Sequence, residues 1–164
     1  MNKLYAVLCS FALCFHVQAE FKPKTKDRKL ADNVMVMACK LLSPDTESAK
    51  GLMLLKFAKR IDKENSRIVL TEHRLKNDLP IPSPKGTQNQ SLTISDLAKE
   101  AAERGLYYIK NNDLSKRDEH ERAVTVALML SFAAENGVNT AEVKAALQKL
   151  KSYNLQVDFK KLLK

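Results

Sequence analysis

The residues best equipped for chemistry in this 164-residue chain stand side by side, as Asp118-Glu119-His120-Glu121. Carboxylates around an imidazole can ligate a metal ion or move a proton. Adjacent positions on a helix point in different directions, however, and only residues three or four apart share a face. Acids at the start of a helix also complement its dipole, which accounts for the run without any ligand. His73, in the stretch Thr71-Glu72-His73-Arg74, has the setting of a solvated helix residue, and it forms no two-histidine spacing with His120. The spacings of zinc sites, the G-x-S-x-G elbow and the phosphate-binding glycine loop are all absent from a chain with four glycines.

Cys39 is the remaining nucleophile of note, and a histidine could meet it in space. Its neighbours Met35, Val36, Met37 and Leu42 are apolar, which predicts a packed thiol rather than a thiolate. The residues therefore assign no catalytic group, no metal ligand and no cofactor. The reading is non-enzymatic, and a hydrolase would need a deep pocket gathering His73 or His120 with acids.

Charge is more informative than any single side chain. Residues 20–92 carry 15 bases and 9 acids, residues 93–142 carry 6 and 9, and residues 143–164 carry 6 and 1. Both ends are basic around a mildly acidic middle. A positive surface forms if these ends converge, and the bases that would supply it are Lys22, Lys24, Lys26, Arg28 and Lys29, then Lys56, Lys59, Arg60 and Lys63, then Lys160, Lys161 and Lys164. Such a surface attracts anionic lipid headgroups, sulfated glycans or nucleic acid. Lipid ranks first because the aromatic interleaving of single-strand binders is missing. A solvated lysine face that serves solubility is the plain alternative for the second helix taken alone.

The elements that must position these bases are helical. Leu30, Val34, Met37, Ala38 and Leu41 recur at three- and four-residue steps and predict a first helix from about residue 27 to 42. Ser43-Pro44, followed by Asp45 and Glu47, reads as the start of a second helix running to about residue 63, with Met53, Leu54, Phe57, Ala58 and Ile61 on its inner face. Asn65-Ser66 caps a third segment, for which the β-branched pair Ile68-Val69 leaves a strand open. Three alternate prolines then impose one extended loop at about 79–91. Thr93 or Ser95 opens a fourth helix, Ser115 with Asp118 a fifth, and Asn139 with Glu142 a sixth. The interior of the fifth, from Ala123 to Ala134, has only Thr125 and Ser131 as polar members and should be surrounded by the others. Phe159, Leu162 and Leu163 face one way on a possible last turn. The expected fold is all-α, an irregular bundle of five to seven helices forming a single domain over 30–164, preceded by a flexible basic arm at 20–29.

The first residues have a separate logic. Lys3, an apolar run from Leu4 to Val17 and the ending Val17-Gln18-Ala19 make residues 1–19 a cleavable export signal. The run is shorter than the roughly 20 residues that cross a bilayer, so no transmembrane segment is expected. Cys9 and Cys14 both follow leucine, against a lipoprotein anchor. Cleavage after Ala19 removes one base and no acid, lowering the formal net charge from +9 to +8, and leaves Cys39 as the only cysteine, so no internal disulfide can form.

With its Lys3-to-Ala19 signal and basic helical remainder, the chain resembles the small lysine-rich helical proteins that Gram-negative intracellular bacteria export through type II secretion. The resemblance implies a host-directed role and recognition of phosphoinositides, and it carries over no functional residue. Two functions are expected: an exported protein, periplasmic or secreted, whose basic surface engages an anionic membrane or another polyanion; or a protein-interaction module such as an inhibitor, adaptor or chaperone with an apolar groove.

Overall fold

A computed structural model of the chain describes residues 20–84 and 91–163. The expected signal at 1–19, the centre of the proline-rich connection at 85–90, and Lys164 lie outside the described residues. Within them the fold is all-α, with seven α-helices and one turn of 3-10 helix.

The first helix, α1 (Thr25–Leu42), starts within the segment expected to be a basic arm, so residues 25–29 are helical. The reason is Asp27. As the third residue of the helix it reaches back to accept the Lys24 backbone N–H at 2.8 Å, satisfying one of the donors that a helix start leaves open. Its side chain is wholly buried. There it also accepts from Arg104 Nε at 2.7 Å and from the Tyr108 hydroxyl at 2.5 Å. One carboxylate thus takes three donors, two of them from a helix some eighty residues later. Burial works against the Arg104 charge, but the Asp27 hydrogen bond and negative charge outweigh it and hold the guanidinium pKa above its usual value. Burial and the same carboxylate push the Tyr108 hydroxyl far above its ordinary range, so it stays a donor.

α1 runs to Leu42 and spends Ser43 on its own end, where the Ser43 N–H bonds Cys39 O. Ser43 therefore does not open the next helix. Residues 43–48 turn, with Asp45 accepting from the Glu47 N–H, and Ser48 caps α2 (Ala49–Ile61) by accepting from the Gly51 N–H. A Cβ on Gly51 would lie 2.8 Å from Leu42 Cγ, so the bare backbone lets the end of α1 meet the start of α2. At the other end of the pair Asn65 donates to Asp32 at 2.9 Å, which makes α1 and α2 an antiparallel hairpin. Asn65 also caps α3 (Ser66–Lys76) through the Arg67 N–H. The Ile68-Val69 pair is helical, not a strand.

Thr93 and Asp96 form a full capping box at the start of α4 (Ile94–Asn111). Beyond it Ser115 bonds Asp113 instead of acting as a cap, and a 3-10 turn at Arg117–Glu119 leads into α5 (His120–Glu135). α5 is the central helix. Leu128, Met129 and Phe132 face one apolar cluster with α1, α2 and α3; Val126, Ala127, Leu130 and Ala133 face a second with α4 and the helix that follows. Cover on both sides explains its nearly unbroken apolar interior. Gly137, at φ +96°, ends the helix in the left-handed region. The cap of α6 (Ala141–Ser152) is Thr140 rather than Asn139, which donates to Ala134 O instead. Asp158 opens the short α7 (Phe159–Leu162), and Phe159 closes an aromatic cluster with Phe57 and Phe132, with ring centroids 4.7–5.3 Å apart.

The Asp27 cluster generates a stability prediction. Arg104→Ala leaves a buried carboxylate without its counter-ion and should cost about 3–5 kcal/mol, whereas Tyr108→Phe removes a single donor and should cost about 2 kcal/mol. Urea denaturation monitored by circular dichroism checks the order. Losses below 1 kcal/mol for Arg104→Ala would contradict it.

Candidate functional site

Residues 20–24 precede α1 without helix or strand and lie against the body of the protein. Phe21 packs on both apolar clusters and meets the Tyr108 ring edge-on at 5.7 Å between centroids. This contact, next to the Asp27 cluster, holds Glu20 and Lys22 at the wall of a depression of about 930 Å³. α1 adds Arg28 to that wall and α2 adds Lys56, Lys59 and Arg60, with Lys63 just beyond the helix end. Leu162 and Leu163, at the end of α7, complete it with apolar surface. Segments from both basic ends of the chain and from α2 therefore share one concavity.

Six of the twelve bases expected to form a positive surface line this depression. The others do not. Lys24 turns away to donate to the Tyr107 hydroxyl at 3.1 Å, with its ammonium 4.9 Å from the ring centroid, and the guanidinium of Arg104 lies 4.6 Å from the same ring. This bond to Lys24, followed by its charge, draws the Tyr107 hydroxyl below the usual phenol pKa. Lys26 and Lys29 on α1, and Lys160 and Lys161 on α7, are exposed elsewhere.

Acids divide the six bases into two sets. Lys59 bonds both oxygens of Glu72 at 2.8 Å, Arg60 lies 3.3 Å from Glu121, and Lys63 pairs with Glu20. Lys22, Arg28 and Lys56 have no acidic partner among the described residues. Asp62 and Glu64 also line the depression, so its charge is mixed, with three uncommitted cations beside three pairs. Sequence patterning placed the bases of α2 on one face but could not find these acids. Glu72 is on the next helix and Glu121 is two helices further on, and no local spacing links either to α2.

The run 118–121 is dispersed by its pairings. Glu119 binds Arg122 and Glu121 faces Arg60. No group of three or more His, Cys, Asp or Glu side chains among the described residues could hold a metal ion. His73 and His120 are exposed and line neither this depression nor a smaller one of about 230 Å³. No family model, curated protein or solved structure matches this chain.

The smaller depression lies between α1, α3 and the Pro82–Pro84 stretch, with Met35, Leu70 and Cys39 on its wall. Cys39 is half-buried rather than packed away, and its Sγ is 3.9 Å from Thr71 Oγ1. Burial pushes its thiol pKa up against the opposing effects of Thr71 and Arg67. A raised pKa means less thiolate at any given pH. Cys39 should thus alkylate more slowly than a free thiol at neutral pH and approach the free rate in denaturant. Iodoacetamide kinetics followed by mass spectrometry check this; equal rates would contradict it.

Proposed function

We propose that the protein is an exported, non-enzymatic binding protein whose depression between the N-terminal segment, α2 and α7 engages an anionic lipid headgroup such as a phosphoinositide. The observation that carries this reading is the presence of Lys22, Arg28 and Lys56, with no acidic partner among the described residues, in one concavity with Phe21, Leu162 and Leu163. Cations beside apolar side chains suit the boundary between headgroups and acyl chains, where each base contributes about 1 kcal/mol. The acids around the depression favour a compact anionic group over a long polyanion, because an extended strand would meet Asp62 and Glu64 as well as the bases. Glycan and nucleic acid rank lower for that reason. No helix among the described residues is long and apolar enough to cross a membrane, so attachment would be peripheral. The likeness to exported proteins of intracellular bacteria supports a host-directed role.

A protein-interaction module is the second reading. Val69 and Leu70 of α3 are about half exposed beside the smaller apolar depression, which is the kind of surface that a partner helix or strand covers.

The test is sedimentation with phosphatidylcholine vesicles, with and without a phosphatidylinositol phosphate, and with soluble inositol phosphate as competitor. Binding should require the anionic lipid and weaken as salt rises. The triple variant Lys22→Ala, Arg28→Ala, Lys56→Ala should bind roughly 100-fold more weakly. Neutralising Lys26 and Lys29, outside the depression, should matter much less at physiological salt, where charges are screened within about 8 Å. Equal failure to bind both vesicle types at low salt would overturn the reading. Competition by soluble inositol phosphate at low concentration would indicate a headgroup pocket; its failure would indicate a membrane-surface contact.

A further inference from the structure

Glu20 directly follows Val17-Gln18-Ala19, the expected cleavage point, and it also lines the depression, where its carboxylate pairs with Lys63. Hydrolysis of the Ala19–Glu20 amide consumes one water, leaving a carboxylate on Ala19 and an amine on Glu20. An α-amino group with a pKa of about 7.7–8.0 is mostly protonated at neutral pH. Processing therefore converts a neutral amide nitrogen into a cation on a residue already in the concavity. The next residue, Phe21, is seated on both apolar clusters and against Tyr108, so the new ammonium is one residue from a fixed point.

We propose that removal of residues 1–19 completes the anion site, adding the Glu20 α-ammonium to the cations of Lys22, Arg28 and Lys56. The inference rests on the proposed anion-binding function and adds its regulation. It has a second effect in the same place. The new ammonium and Lys63 compete for one carboxylate, so Lys63 becomes more available to a ligand. The unprocessed chain has neither contribution, and its affinity for anionic headgroups should be lower until export is complete.

The experiment compares three forms of the chain, all containing every described residue: one beginning at Glu20 with a free amine, the same chain acetylated at that amine, and one with a short Gly-Ser extension before Glu20. The extension keeps the net charge but moves the ammonium out of the depression. Each is titrated with phosphatidylcholine vesicles carrying a phosphatidylinositol phosphate and, separately, with soluble inositol phosphate. The free-amine form should bind about fivefold more tightly than either of the others, the effect of one well-placed surface cation. Equal binding by all three overturns the inference while leaving the anion-binding function intact. Weakening by acetylation but not by the extension also overturns it, because only net charge would then matter. Absence of binding by all three overturns the anion-binding function and the inference together.

Discussion

The buried carboxylate of Asp27 is the constraint on which the arrangement depends. An ionised group removed from water is tolerated only when donors replace its hydration. Asp27 takes one from the Lys24 backbone and two from α4, through Arg104 and Tyr108. Satisfying that one group fixes where α1 begins, ties its first turn to α4, and sets the Tyr108 ring where Phe21 can pack against it. Glu20 and Lys22 flank Phe21, and Arg28 follows Asp27, so the N-terminal wall of the depression is a consequence of the buried pair. A charged interaction inside the protein thus orients the charges outside it.

The opposite wall depends on packing of a different kind. α2 is held to α1 by the close approach at Gly51 and to α5 by the Phe57–Phe132 contact, while Phe159 brings α7 to the same cluster. A Cβ on Gly105 would lie 2.6 Å from Leu130 Cγ, so α4 and α5 approach as closely as α1 and α2. With these contacts set, the outer face of α2 is left facing the N-terminal segment. Lys59 and Arg60 of α2, and Lys63 just beyond it, then find acids on three different elements: Glu72 on α3, Glu121 on α5 and Glu20 ahead of α1.

Helical periodicity was enough to read the all-α class, the inner faces of α1 and α2 and the enclosed α5, because each is a local pattern. Caps were less legible where two candidates stood close together. Ser43 has the chemistry of an N-cap, but α1 uses it as an end and leaves the role to Ser48; Asn139 yields in the same way to Thr140. The N-terminal segment was misread for a different reason. Among five bases, Asp27 looks like one more solvated charge, and its partners Arg104 and Tyr108 lie 77 and 81 residues away. The proposed anion site was half legible for the same cause: amphipathicity on α2 places Lys56, Lys59 and Arg60 on one face, while only tertiary structure gathers Lys22, Arg28 and Lys63 beside them and pairs three of the six with acids.

The most direct test of the account is amide hydrogen exchange on the Asp27→Asn variant compared with the parent chain. If the buried carboxylate holds the N-terminal segment in place, residues 21–30 should lose protection while α5 keeps most of its own. Unchanged protection across 21–30, or a loss spread evenly through α5, would contradict it.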